Sequence, residues 1–188
     1  MKILFFLSTT LILLAFSCKK DDATTVNETV SDIRKSTEVV AKQGTGKITL
    51  RCNGKEITVE GICGGVITMG TLTIAVKDKT NPTKVFTIGF NTKDFPVDGM
   101  EYRIKPKDYT VDKNPENEVS VGFMEGLPNN KMNVWDPQPN SGNLVFSVKG
   151  NEIKCTFKDI KLQPSTAFNA EDLKSEGAVS GEFTLYKN

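Results

Sequence analysis

The stretch NLVFSVKGNEIKCTFK, Asn143–Lys158, decides the fold because both its alternation and its turn can be read directly. Apolar and polar residues alternate before and after the dipeptide Gly150-Asn151, which is the period of a half-buried strand. A two-residue loop of this type predicts a tight β-hairpin. Its register places apolar residues opposite each other in three inward pairs: Leu144 with Phe157, Phe146 with Cys155, and Val148 with Ile153.

A second hairpin of the same kind is predicted 97 residues earlier in the chain. Lys47–Cys52 and Lys55–Glu60 flank Asn53-Gly54, a dipeptide that accepts positive φ at both turn positions. The register then puts four apolar residues on one face with Cys52, as two cross-strand pairs: Leu50 with Ile57, and Ile48 with Val59.

Further strand-like runs follow at short intervals between turn-rich segments. They are Val66–Val76, Lys84–Phe90, Glu101–Lys105, Glu118–Met124, Met132–Trp135 and Ala178–Tyr186. About nine or ten short strands at such spacing are typical of an antiparallel β-sandwich or an open barrel. We therefore predict one all-β domain over residues 45–188.

The first 17 residues have the three regions of a secretory signal peptide. Lys2 gives a positive start, Ile3–Leu14 is almost entirely apolar, and Ala15-Phe16-Ser17 ends the segment with small residues. The apolar run is shorter than the roughly 20 residues that a transmembrane helix needs. Ordinary secretion with cleavage after small residues is one outcome of this pattern.

Residues 18–44 read as a polar tether, part of which is helical. Val26, Val30, Ile33, Thr37 and Val40 recur at steps of three and four residues, the spacing of one helix face. A helix that binds a partner as a coiled coil is an alternative, although the apolar stripe is thin. At the start of this stripe, Thr25 and Glu28 form a potential capping box, and Gly44 after its end is a plausible helix stop.

The segment from Leu14 to Cys18 resembles the lipobox of bacterial lipoproteins. In that family the cysteine is acylated and becomes the new amino terminus, which here implies lipidation of Cys18. The family prefers Leu three residues before the cysteine, where this chain has Ala15. The resemblance implies a membrane partner reached through a lipid anchor.

Lys20-Asp21-Asp22, directly after that cysteine, resembles the surface-export signal of Bacteroidota lipoproteins. The "NGK" turn, the "GMEYRI" segment and the "SGNLVFSV" hairpin, followed by "VSGEFTL", look like small outer-membrane or surface lipoproteins of an uncharacterised β-rich domain family from that phylum. The resemblance implies an outer-membrane, lipid-anchored and surface-exposed protein with a β-rich fold, and it carries no catalytic residue.

Charge and composition exclude several classes of function. The chain has 24 Lys and Arg residues against 23 Asp and Glu residues, and this balance argues against nucleic acid as a partner. It has no histidine, which removes Ser-His-Asp and Cys-His catalysis, His-based zinc sites and His-ligated haem. We expect no enzymatic activity and no cofactor.

Three cysteines follow Cys18 in a chain that is predicted to be exported. Cys155 is expected on the inward face of its hairpin, where it could form a disulfide with Cys63. Cys52 is the weaker partner, and three buried reduced thiols are the alternative.

Aromatic residues near predicted loops provide one candidate ligand site. Trp135, the only tryptophan, together with Tyr102 and Tyr109 could form a platform on which sugar rings stack, or could pack at the edge of the core.

Oxygen-bearing side chains also cluster between Asp108 and Glu118. An EF-hand loop starting at Asp112 would need Gly and an acid where Asn117 and Phe123 stand, so we predict a solvated turn and no metal site.

The sequence as a whole favours a surface-anchored lipoprotein with a non-enzymatic binding or envelope-structural role. A glycan or another envelope protein is the expected partner. Two alternatives remain open at this point: a periplasm-facing component of an envelope complex, and a hydrolase that acts on glycans with carboxylates alone.

Overall fold

The computed structural model describes residues 37–105, 116–128, 131–169 and 175–188, with side chains omitted at 167–169. Over these ranges the chain is all-β and contains no helix. Its eleven strands are β1 Thr37–Val39, β2 Ala41–Cys52, β3 Lys55–Thr68, β4 Thr71–Asp78, β5 Lys84–Phe90, β6 Glu101–Ile104, β7 Glu118–Leu127, β8 Lys131–Pro137, β9 Asn143–Lys149, β10 Glu152–Asn169 and β11 Gly177–Lys187.

Nine of these strands close into a barrel. The order around the ring is β3-β2-β11-β10-β9-β6-β7-β5-β4, and β4 pairs back onto β3 over eight residue pairs from Gly61 to Thr68. Strand β1 pairs with β3 outside the ring, and β8 forms a second bridge between β10 and β7.

The prediction of an all-β fold is confirmed, but two of its details are wrong. The sheet closes instead of remaining open or splitting into a sandwich, and the β6–β7 pair is parallel. Neither detail is visible in local sequence, because both depend on which distant strands become neighbours.

Both predicted hairpins form with their predicted registers near the turn. Leu50 pairs with Ile57 across Asn53-Gly54, whose φ angles are 48° and 69°. Phe146 pairs with Cys155 in the β9–β10 hairpin. The β9–β10 ladder ends at that pair, so the predicted pairing of Leu144 with Phe157 is not part of it; Leu144 lies opposite Tyr102 of β6.

Two other sequence predictions are corrected by the backbone. Val66–Val76 is two strands rather than one, because Met69 and Gly70 form a turn with φ angles of 52° and 77°. The helical prediction for the tether is wrong over residues 37–44, which are strand except for Val40 between β1 and β2. Pairing with the edge of β3 satisfies the backbone there, whereas a short isolated helix is marginal in water. Residues 18–36 lie outside the described residues.

The barrel wall depends on glycines where strands approach too closely for a side chain. Gly46 and Gly61 are direct partners in the β2–β3 register. A Cβ on Gly61 would lie 2.3 Å from the backbone oxygen of Lys77, and a Cβ on Gly46 would lie 2.8 Å from the side chain of Val76. The side chains that do point inward fill the barrel with one continuous core.

The two ends of the barrel differ. We call one the Met69 end; it carries the turns at Met69-Gly70 and Gly150-Asn151 and the end of β11. Loop 91–99 covers this end: Phe95 packs on the core, and the Val97 N–H donates to the Tyr102 hydroxyl at 3.0 Å. We call the other the Asn53 end.

We predict that Gly61→Ala lowers the free energy of unfolding by about 1–3 kcal/mol, because the methyl group meets fixed backbone. Gly89→Ala is the matched control, since its Cβ would meet only the movable Ser120 hydroxyl, at 2.8 Å. Denaturant unfolding measures both variants. Equal losses would show that backbone approach at Gly61 does not limit the fold.

Candidate functional site

A layer of polar side chains lies on the inner face at the Asn53 end. Glu125 of β7 stands directly opposite Asn133 of β8 and opposite Lys84 of β5. The Lys84 Nζ and Glu125 Oε1 atoms are 3.9 Å apart. We call Lys84, Glu125 and Asn133 the polar layer.

Strand alternation positions the polar layer above an aromatic floor. Each member is two residues from a buried aromatic of the core, so all three point to the same face as those rings. Directly below Glu125 and Asn133 lie Phe123 and Trp135, whose ring centroids are 5.9 Å apart and nearly perpendicular.

The Asn133 side chain is buried without a full set of hydrogen bonds. The residue is 8% exposed, and among the described residues its Oδ1 atom is the one buried side-chain oxygen or nitrogen with no partner. Leaving a buried acceptor unpaired costs free energy, about 1–3 kcal/mol. The neighbouring side chains of Lys84 and Glu125 are 27% and 21% exposed, so solvent reaches this layer from the barrel end.

Cys52 lies at the edge of the polar layer. Burial raises the pKa of its thiol, and the negative charge of Glu125 raises it further. A thiol with a raised pKa stays protonated at neutral pH and is a poor nucleophile. Cys52 therefore serves as an apolar wall of the site rather than as a reactive group.

A recess of about 270 Å³ opens beside Cys52 at the same end of the barrel. It is lined by residues 51–56 and Glu176, and the Arg51 Nε–Glu56 Oε1 ion pair, at 2.7 Å, lies along its wall. The volume is slightly below the range of about 300–1,000 Å³ that enclosed small-molecule pockets occupy. The recess is open and too small to enclose a whole cofactor.

For the two described members of the candidate aromatic platform, the alternative of packing against the core holds and an open stacking platform does not. Trp135 and Tyr102 are 1% and 4% exposed, and stacking a sugar requires an open ring face. Tyr102 packs edge-on against Phe90 and Phe146, with centroid distances of 5.6 Å and 5.5 Å. The Trp135 indole N–H donates to the Ser175 carbonyl at 3.3 Å. Tyr109 lies outside the described residues.

The predicted Cys63–Cys155 disulfide is not formed, and the two residues are buried free thiols, as is Cys52. Strands β2 and β11 lie between β3 and β10, so three strand steps of about 4.8 Å each separate the two cysteines along the barrel wall, and the thiols face the same core without bonding. Burial raises the pKa of Cys155 to about 12 and that of Cys63 even more.

In the described part of the acidic segment, Glu118 is held in ion pairs. Glu118 is 8% exposed and forms ion pairs with Arg103 at 3.1 Å and Lys105 at 2.6 Å. In residues 37–105, 116–128, 131–169 and 175–188, no group of three or more metal-ligating side chains comes together. Asp108 and Asp112 lie outside those ranges, as do the predicted anchor Cys18 and the export signal Lys20, Asp21 and Asp22.

Among the described acids with a resolved pKa shift, Asp136 is the one whose pKa is raised. Burial raises the pKa of Asp136 on β8, and a hydrogen bond with Ser165 offsets part of that effect. A carboxyl group with a raised pKa is a recognised candidate for proton transfer.

None of the three members of the polar layer was predicted from the sequence. The available signal was their position two residues from an inward aromatic: Lys84 before Phe86, Glu125 after Phe123. That spacing indicates a shared polar layer only once strands β5, β7 and β8 are known to be neighbours at the Asn53 end.

Comparisons with known proteins add nothing to these geometric observations. No protein-family model, curated protein or solved structure matches the chain. Within the described part of the chain, no helix is long and apolar enough to cross a membrane.

We predict that Asn133→Leu raises the free energy of unfolding by about 1 kcal/mol, because it replaces an unpaired buried acceptor with an apolar group of similar size. Asn143→Leu is the control, since that amide is exposed and already bonded to Glu101. Denaturant unfolding compares the two variants. A loss of stability in Asn133→Leu would show that its amide supports the fold.

Proposed function

We propose that this protein is a lipid-anchored, surface-exposed outer-membrane lipoprotein whose barrel binds a partner without catalysis through its Asn53 end. The observation that carries the proposal is the unpaired, buried Asn133 Oδ1 beside the Lys84–Glu125 ion pair. Natural proteins tend to tolerate such a cost where function requires it.

The chemistry of the polar layer favours a partner that donates and accepts hydrogen bonds. Asn133 Oδ1 and the Glu125 carboxylate accept, and the Lys84 ammonium donates. Sugar hydroxyl groups supply both functions, as do polar side chains of another envelope protein. The recess beside Cys52 admits only a part of either partner at a time.

The direction in which the chain enters the barrel supports a binding role for the Asn53 end. Strand β1 starts at the Met69 end, and β2 then runs eleven residue steps toward the Asn53 end, about 36 Å along the strand at about 3.3 Å per step. An anchor at Cys18 would attach the barrel by its Met69 end. The polar layer would then face away from the membrane, toward external partners.

The anchor is tested by Cys18→Ala in the producing cell. We expect a protein that is soluble or unprocessed, because the thiol is the proposed acylation site. Ser17→Ala is the control, since it retains the thiol. Partition of Cys18→Ala into detergent with normal mature mass would contradict the anchor. Protease accessibility on intact cells then distinguishes surface display from a periplasm-facing location.

Binding is tested with the membrane-extracted protein on a glycan array and in a pull-down of envelope proteins. We expect Asn133→Leu to lose about tenfold in affinity for the captured partner, the equivalent of one hydrogen bond of about 1.4 kcal/mol. Asn143→Leu should bind normally. Unchanged binding by Asn133→Leu would exclude the polar layer, and turnover of a bound glycan would favour a carboxylate hydrolase instead.

A further inference from the structure

The Met69 end exposes apolar side chains that the fold does not use. Met69 is 65% exposed, Val97 is 59% exposed and Val39 is 51% exposed. Met69 is at the tip of the β3–β4 turn, Val97 is in the loop that covers this end, and Val39 ends β1. They come from three separate chain segments and lie at the same end of the barrel.

Met69 occupies a backbone conformation that suits methionine poorly. Its φ is 52°, and Gly70 follows at 77°. The turn at the opposite end has nearly the same geometry, with Asn53 at 48° and Gly54 at 69°, and uses the Asn-Gly dipeptide that this turn favours. Side-chain packing offers no compensation, because Met69 is largely in solvent. Local stability therefore does not explain a methionine at this tip.

The start of the barrel domain lies beside this turn. Thr37, the first residue of β1, is the register partner of Thr68, next to Met69. The 18 residues from Lys19 to Ser36 can span at most about 60 Å even when fully extended. An anchored Cys18 would hold the Met69 end near the bilayer and make even a weak contact effectively intramolecular.

Charge at this end argues for an apolar contact rather than an electrostatic one. Loop 91–99 itself carries Lys93 together with Asp94 and Asp98, and Lys149 and Glu152 flank the neighbouring turn. Both signs are present side by side. Anionic headgroups would therefore gain little from this surface, whereas the headgroup–acyl boundary suits Met and Val.

We propose that the Met69 end lies on the lipid bilayer, with Met69 and Val97 inserted at the headgroup–acyl boundary. This inference rests on the proposed anchor at Cys18. It adds a fixed orientation, in which the polar layer of the Asn53 end points away from the membrane.

The test places a fluorophore at either end of the lipidated protein. Met69→Cys and the matched Asn53→Cys are labelled in a Cys52→Ala background, because Cys52 lines the open recess beside Asn53; Cys63 and Cys155 are buried and resist labelling. Each protein is reconstituted on phosphatidylcholine vesicles with nitroxide-labelled acyl chains. We expect quenching at position 69, none at position 53, and no change with salt.

Any other result would contradict the membrane docking alone or the docking together with the lipid anchor. A protein that floats with vesicles but shows no quenching at 69, or equal quenching at both positions, overturns membrane docking and leaves the anchor intact. A protein that does not float overturns the anchor and the docking together. Shielding of position 69 that requires high protein concentration, without quenching, assigns the surface to a second copy of the chain.

Met69→Asn provides a second arm that does not threaten the fold, because it recreates the Asn-Gly turn of the other end. The fluorophore is then placed at Val97→Cys. We expect the ratio of docked to undocked barrel to fall about tenfold, because the burial of one methionine side chain is lost. Asn53→Met, at the far end, should leave the signal unchanged. Equal quenching with and without Met69 would show that this side chain does not insert.

Discussion

Closure of the barrel by the β3–β4 ladder is the constraint on which the rest of the structure depends. Because β4 returns to β3, the ring of backbone hydrogen bonds has no open edge, and the inner face becomes a closed core. Closure brings strands so near one another that Gly61 has no room for a Cβ. The same closure gathers strand ends from distant parts of the sequence into two small, chemically distinct surfaces.

Those two surfaces have different physical characters. At the Met69 end, loop 91–99 covers the core and leaves apolar side chains in solvent. At the Asn53 end, the layer directly above the inward aromatic residues of β5, β7 and β8 is polar and consists of Lys84, Glu125 and Asn133. One end suits contact with an apolar environment and the other suits hydrogen bonding. A single-layer barrel with a filled interior can interact only through its outer wall and its ends, which is why this difference matters.

Local chemistry was predictable where the interaction partners are close in sequence. The hairpin registers at Asn53-Gly54 and Gly150-Asn151 follow from two-residue turns and alternation, and both are confirmed next to the turn. The turn at Met69-Gly70 was missed because methionine is not a turn-forming residue. Burial of Trp135 was one of two roles left open by the sequence, because a polar stretch follows it, and strands β7 and β10 decide it by enclosing the residue in space.

The sequence by itself determined an all-β domain, its two tight hairpins and the exclusion of histidine chemistry, since these depend on period, turn dipeptides and composition. Only the tertiary structure decided the closed ring, the parallel β6–β7 pair, the free thiols and the polar layer. Each of these joins residues from strands far apart in the chain, such as Lys84 with Glu125. Alternation along a strand fixes which residues share a face, but only the pairing of strands fixes what that face meets.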